Sequence, residues 1–338
     1  MILNVAIVGF GLSGRYLQGP FFRSNYTCFR IKTVMSVSQN PQDMYPDIQV
    51  ARTLDEILTD PDIDLVSIAS PNDTHFDYAR RCLLANKHVL VEKPFTATIA
   101  EAQELIAIAK SQNKILTVFQ NRRFDSDFLT VQKVIENKLL GELLTFEAYF
   151  NRYSPILNSK KWKETTGASS GILYDLGSHI IDQALVLFGK PMAVSGQTFR
   201  QRQGTKIDDA FEIRLDYDLL KVTLKSSLMV REEAPRYVLN GSKGSFVKYG
   251  IDQQENHLKM GMWPKDRDFG IEPADKWGVL NTDIGGQHLR GHIETEVGNW
   301  SVLFENIYAA IANGEELLVK PEQIVEQLAI IEAIQSKS

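Results

Sequence analysis

Cys28 and Cys82 are the only cysteines in 338 residues. They stand too far apart in the chain to suggest a disulfide framework or a zinc site, and two thiols in a reducing compartment are the natural reading. Basic blocks are missing as well. The 37 Lys and Arg are spread among 42 Asp and Glu, for a net charge of −5. Nothing interleaves basic with aromatic residues, so no nucleic-acid partner is expected. No apolar run approaches membrane-spanning length, and no charged segment with an apolar core precedes the first strand. No membrane partner and a cytoplasmic location are therefore expected. His288 and His292 have i,i+4 spacing but no acidic third ligand, so no metal is expected either.

What remains is an ordinary globular composition, 43% hydrophobic and 23% charged, on a chain long enough for two domains. The first is expected over residues 1–121. Leu3 to Val8 is an apolar run that leads straight into Gly9-Phe10-Gly11-Leu12-Ser13-Gly14. This is G-x-G-x-x-G between a strand and a helix, the context that gives the pattern its meaning. Gly9 permits the tight turn, Gly11 lets backbone approach a pyrophosphate, and Gly14 lets the helix pack on the strand. Leu12 and Ser13 complete the expected phosphate loop. The second strand, Ile31 to Val37, is followed by Ser38-Gln39-Asn40 with no acid before Asp43. A carboxylate there would bind a ribose 2′-OH and repel a 2′-phosphate. Its absence favours NADP over NAD, with Ser38 at the ribose. That segment has no Arg for the phosphate, and Arg15 on the first helix is the candidate to reach it.

Alternation continues. Thr53-Leu54-Asp55-Glu56 and Thr98-Ile99-Ala100-Glu101 read as helix-opening capping boxes. Leu65 to Ala69 is a strand closed by Ser70-Pro71-Asn72-Asp73-Thr74-His75, a turn at a carboxyl strand end, where open α/β sheets bind ligands. Ser70, Pro71, Asn72 and His75 are expected beside the cofactor, with His75 supporting and not reacting. The strand His88 to Val91 ends in Glu92-Lys93-Pro94, which sets Glu92 at the cofactor and Lys93 beside the expected nicotinamide. Ile115 to Phe119 leads to Gln120-Asn121-Arg122-Arg123. Gln120 is assigned to the cofactor, and Asn121 and Arg123 to the substrate. The fold class is a doubly wound parallel Rossmann sheet, followed over 122–338 by an α+β domain with a large open, mostly antiparallel sheet.

In that second domain a polar loop runs from Phe150 to Ser170. It carries Trp162, which is expected to stack on a substrate ring or pin the loop. Leu176, Ile180, Ala184 and Leu187 then form an apolar helical stripe. Asp175 and His179 stack one turn apart, away from its centre, so the carboxylate can orient an imidazole that takes a proton near neutral pH. Alternating segments follow at Phe211–Tyr217 and Val222–Val230, with a hairpin signal at Gly241–Gly244. Gly250 to His292 has irregular periodicity but carries aromatics, and reads as a long ordered excursion over the site. The last helix, from Pro321, is expected to bury Ile324, Leu328 and Ile331, and to pack back on the Rossmann domain. A sheet with one open polar face predicts a homodimer or homotetramer formed through it.

At Gly9–Gly14, Glu92-Lys93-Pro94 and Asp175-Leu176-Gly177-Ser178-His179, the chain resembles the glucose–fructose oxidoreductase/inositol dehydrogenase (Gfo/Idh/MocA) family. Gln120–Phe128 and Gly171–Leu185 look like a branch that includes NADP-dependent scyllo-inositol dehydrogenases. The resemblance implies an NADP- or NAD-dependent oxidoreductase acting on a secondary alcohol or ketone of a cyclic polyol or sugar. Lys93, Asp175 and His179 match its catalytic lysine, aspartate and histidine. Ser169-Ser170-Gly171 departs from the consecutive glycines common in relatives. The alternatives are an NADP-binding sensor without turnover, which should lack one of the three polar groups, and a reductase of a non-sugar carbonyl, which needs a more apolar site.

Overall fold

A strand that is apolar on both faces has to be covered on both faces. In the computed structural model, which describes residues 1–158, 164, 167 and 169–336, Leu3–Val8 forms such a strand, β1, with Val5 to Val8 fully buried. Five more strands follow: β2 (Phe29–Met35), β3 (Gln49–Ala51), β4 (Leu65–Ile68), β5 (His88–Val91) and β6 (Leu116–Val118). They pair in parallel in the order β3-β2-β1-β4-β5-β6, the doubly wound order of dinucleotide-binding sheets. The connections carry α1 (Gly19–Ser24), entered through a π-helical segment Ser13–Gln18, then α2 (Leu54–Leu58), α3 (His75–Leu84) and α4 (Ile99–Ser111). Both expected capping boxes form, at Thr53/Glu56 and at Thr98/Glu101. The second strand begins and ends two residues earlier than its apolar run suggests. The Ser36 hydroxyl donates to the Gln39 carbonyl at 3.0 Å and accepts from the Gln39 N–H at 3.1 Å, which turns the chain after Met35.

Among the described residues the second sheet has eight strands: β7 (Leu143–Tyr149), β8 (Ala193–Phe199), β9 (Ala210–Tyr217), β10 (Leu220–Ser227), β11 (Tyr237–Gly241), β12 (Gly244–Lys248), β13 (Gly278–Ile284) and β14 (Gln287–Ile293). Their order is β14-β13-β12-β11-β7-β10-β9-β8, antiparallel except for β7 with β10. Helices α5 (Ser126–Glu136) and α6 (Ser178–Phe188) accompany it, α6 entered through a second π-helical segment, Leu173–Gly177. Phe146, Phe211, Ile213, Leu224 and Leu239 supply its buried face. Glu212, Asp216, Lys221 and Lys225 alternate with such residues and pair across strands, at 2.7 Å for Lys221–Asp216 and 3.2 Å for Lys225–Glu212, while Arg214 pairs with Glu212 of its own strand. The expected excursion after Gly250 is a correction. It holds the β13–β14 hairpin, turned by Gly285 and Gly286 at φ +61° and +79°. That glycine pair is the hairpin signal that a scan for periodicity passes over.

Among the described residues three further α-helices follow: α7 (Gln254–Lys259), α8 (Ser301–Asn313) and α9 (Pro321–Gln335). The chain groups into two units. One comprises Met1–Asn121, Gln254–Phe269 and Asn299–Val325, the other Arg122–Gln253, Gly270–Gly298 and Glu326–Ser338. Aromatic packing explains why segments distant in sequence join the first. Phe304 of α8 stacks on Phe21 at 5.0 Å and meets Phe22 edge-on at 4.9 Å, while Trp300 is fully buried against Phe21 and Phe119. Ile324, Leu328 and Ile331 of α9 are buried. Among the described residues no helix is long and apolar enough to cross a membrane.

His88 joins two strands of the first sheet, accepting the Ile115 N–H on Nδ1 at 3.0 Å. Burial, helped by the Lys114 ammonium, pushes its imidazole down to about 4. The unfolded ring protonates near its ordinary value of about 6.5. Stability tied to the neutral ring is therefore complete above that value and is lost as pH falls toward the folded value. Thermal unfolding across this window should show the wild type losing on the order of 2 kcal/mol more than His88→Gln. A stability gap between the two proteins that does not change with pH would contradict this.

Candidate functional site

Three glycines shape the end of β1, each for a different reason. Gly9 has φ +100°, and a Cβ there would stand 2.6 Å from the Ala69 carbonyl oxygen. A Cβ on Gly14 would stand 2.1 Å from the Gly9 oxygen. Gly11 is the opposite case, since a Cβ there meets nothing within 4 Å. The bare backbone at Gly11 thus borders open space at a helix start, which fits the close approach of a pyrophosphate. Leu12 beside it is exposed.

Behind this loop lies a polar cluster that no local pattern announces. Glu92, 8% exposed, accepts the Ser13 hydroxyl on Oε1 and the Lys93 N–H on Oε2, the latter at 2.7 Å. Gln18, fully buried, donates to the Ser13 hydroxyl at 3.0 Å and accepts from the buried Ser67 hydroxyl. Ser13 and Glu92, both expected at the cofactor, are thus bonded to each other. Lys93 is half-buried, at the carboxyl end of β5. His75, 1% exposed, sets its ring nitrogens against the Pro94 carbonyl at 2.8 Å and the Ser70 carbonyl at 3.0 Å, bracing two strand-end loops. The Ser70 hydroxyl lies 2.6 Å from that of Thr74. Asn72 is half-buried and Pro71 and Ser38 are exposed, while Gln120 and Asn121 are buried.

In the second unit His179 lies in the first turn of α6 and is 4% exposed, its ring centroid 6.2 Å from that of Phe150. Asp175, on the π-helical segment before it, is exposed. The imidazole is therefore buried deeper than a spacing argument predicts, because α6 turns that face onto the end of β7. Phe150 is also faced by Arg236 at 4.2 Å, Arg122 at 5.2 Å and Arg152 at 5.4 Å. Two of these have carboxylate partners, Arg122 with Asp125 at 2.9 Å and Arg236 with Asp127 at 3.2 Å. Arg123 makes two 2.7 Å bonds to Asp182, so its guanidinium is engaged inside the fold. Gln183 donates to the Arg122 carbonyl and accepts from the Tyr237 hydroxyl. Trp162 lies outside the described residues.

The segment that leads into the helix bearing His179 is held by Asp208, a residue distant from it in sequence. Asp208 accepts the Leu173 N–H on its carboxylate at 2.8 Å and the Ile172 N–H on its carbonyl at 3.0 Å. Burial raises its carboxyl above the usual range, while the backbone donors act in the opposite sense. Gly171, at φ +94°, leaves room for it, since a Cβ there would stand 1.9 Å from Asp208 Oδ1. Asp209 is a different case: fully buried, it receives Arg202 at 2.9 Å. Gly171→Ala should cost about 1–3 kcal/mol through its φ alone, and more because Asp208 has to move. Gly189→Ala, at φ +69° with nothing within 4 Å, isolates the first contribution. Equal losses of unfolding free energy in the two variants would remove the Asp208 clash from the account.

Comparisons with known proteins show the family and the fold. Residues 3–120 match the family model described as oxidoreductase family, NAD-binding Rossmann fold, and residues 132–338 match its C-terminal alpha/beta domain. The scyllo-inositol 2-dehydrogenase (NADP(+)) IolW of Bacillus subtilis is 37% identical over 99% of this chain and 94% of its own length. The Escherichia coli oxidoreductase YhhX is 38% identical over 98% and 96%. The solved structure of the Bacillus subtilis oxidoreductase YvaA superposes with a TM-score of 0.95 at 36% identity, over 100% of this chain and 96% of that one. With both of its domain models matched and full-length relatives above 30% identity, the chain belongs to the Gfo/Idh/MocA family of oxidoreductases, with the NAD-binding Rossmann fold in residues 3–120.

Proposed function

We propose that this oxidoreductase is an NADP-dependent dehydrogenase that oxidises a secondary alcohol of an inositol-like cyclic polyol or sugar, or reduces the matching ketone. One observation carries the reading. The glycine loop after β1, the Ser70–Asn72 turn after β4 and Lys93 after β5 all stand at the carboxyl ends of neighbouring parallel strands, where such sheets bind nucleotides and their substrates. The full-length similarity to a relative named as an NADP-dependent inositol dehydrogenase supports the substrate class. Association of copies through the polar face of the second sheet, as a homodimer or homotetramer, is part of the same proposal.

Gly9, Gly11, Leu12, Ser13 and Gly14 would hold the pyrophosphate, with Ser38 at the ribose. Ser70, Pro71, Asn72, His75, Glu92 and Gln120 would line or brace the rest of the nucleotide site. When bound, the nicotinamide supplies the hydride acceptor. A carbon that gives up a hydride while its hydroxyl keeps the proton leaves a protonated carbonyl, so a base has to take that proton as the carbonyl forms. We assign this step to His179, with Asp175 orienting the ring and balancing its charge. Lys93 donates a hydrogen bond to the reacting oxygen and stabilises its developing negative charge. The Glu92 carboxylate fixes the Lys93 backbone, which limits how far that ammonium strays. Asn121 is assigned to substrate hydroxyls, and Arg123, locked to Asp182, contributes by holding the wall it belongs to.

Absorbance of reduced nicotinamide, followed with a panel of inositols and sugars, tests the proposal. His179→Ala should lower kcat by about 10²–10⁴-fold with the Kd for NADP unchanged, and His179→Gln controls for the cavity left by truncation. Undiminished turnover in both variants would rule out His179 as the base. Tight NADP binding by the wild type, with no turnover on any polyol, would return the protein to a sensor role.

A further inference from the structure

We propose that Arg52 is the group that recognises the 2′-phosphate of NADP. The segment after β2, Ser36 to Gln42, has neither an acid to bind a ribose 2′-OH nor a base to bind a phosphate. The Ser36 hydrogen bonds to Gln39 fold that segment into a tight turn at the strand end where a dinucleotide's adenosine ribose is read. The missing cation comes from the next strand. Met35 pairs with Ala51, and the Ser36 N–H donates to the Ala51 carbonyl at 3.2 Å, so Arg52 leaves β3 directly alongside the turn. Its Nη1 donates to the Ser36 carbonyl at 2.5 Å.

That single bond holds the guanidinium at the turn without using it up. The residue is exposed, and among the described residues its guanidinium makes no ion pair within 4 Å, acting on the Glu56 carboxylate only through its field. The neighbouring Glu56 is turned to the start of α2, accepting the N–H groups of Arg52 and Thr53 and the Thr53 hydroxyl. Nε and Nη2 therefore remain on the planar fork, the geometry that suits two oxygens of a phosphate. Arg15, the basic residue that sequence position favours, lies instead over the rings of Tyr16 at 4.9 Å and Phe10 at 6.0 Å. Ser38, exposed on the same turn, adds a hydroxyl donor.

This inference rests on the reading of the first unit as an NADP site, and the wild-type affinities test that reading separately. Calorimetric titration of the full-length protein with NADP⁺ and with NAD⁺ should show tighter binding of NADP⁺. Arg52→Ala should raise the Kd for NADP⁺ by about 10-fold or more and change that for NAD⁺ by less than about twofold, with Arg52→Lys between. A wild type that prefers NAD⁺ overturns the NADP reading and this assignment together. A wild type that prefers NADP⁺, whose preference survives Arg52→Ala or is lost only in Arg15→Ala, overturns the Arg52 assignment alone. Because Arg52 is exposed, the variant should keep the wild-type circular dichroism, and an equal loss of affinity for both nucleotides would mean a structural role.

Discussion

A carboxylate buried in protein has to be met by donors, and Glu92 meets that requirement by tying two loops together. One oxygen takes the Ser13 hydroxyl of the glycine loop, and the other takes the Lys93 N–H. The loops leave β1 and β5, two strands of one sheet separated by β4. Gln18 and Ser67 fill the space behind them with hydrogen bonds of their own. The surface offered to a nucleotide and the backbone that carries the candidate lysine are thus parts of one hydrogen-bonded body. Preorganisation of this kind is how a site avoids spending binding energy on arranging itself.

The second unit solves a similar problem with charge. Around Phe150 and His179, Arg122, Arg123 and Arg236 each have a different aspartate, Asp125, Asp182 and Asp127. Buried pairs contribute little net stability, but each one defines where its two chains must lie. Asp208 does the same with hydrogen bonds, meeting the first N–H groups of the segment that leads into α6. Gly171 is required there for two reasons at once, a positive φ and the carboxylate that occupies the place of its side chain.

Much of this was legible from residues in order. The strand–glycine loop–helix unit, the two capping boxes, the hairpin at Gly241–Gly244 and the alternation of β9 and β10 depend on neighbours within a few positions. Where the reading failed, a competing local or distant partner was responsible. Ser36 ends β2 early by bonding to Gln39. The Gly285–Gly286 hairpin lay hidden in a stretch with no clean alternation, because β14 is solvent-exposed on both sides and has little to bury. His179 looked like a residue beside an apolar stripe and is instead buried, its ring next to that of Phe150.

Local chemistry in the chain therefore determined the class of fold and the type of cofactor site, since glycine dihedrals, caps and periodicity are properties of short segments. Tertiary structure decided which residues support them. Gln18, Ser67, Asp208 and Arg52 have no local signature, and each matters through a partner supplied by a different segment of the chain. Strand pairing is long-range, and a register of Met35 against Ala51 is what brings a guanidinium to a turn that has no cation of its own.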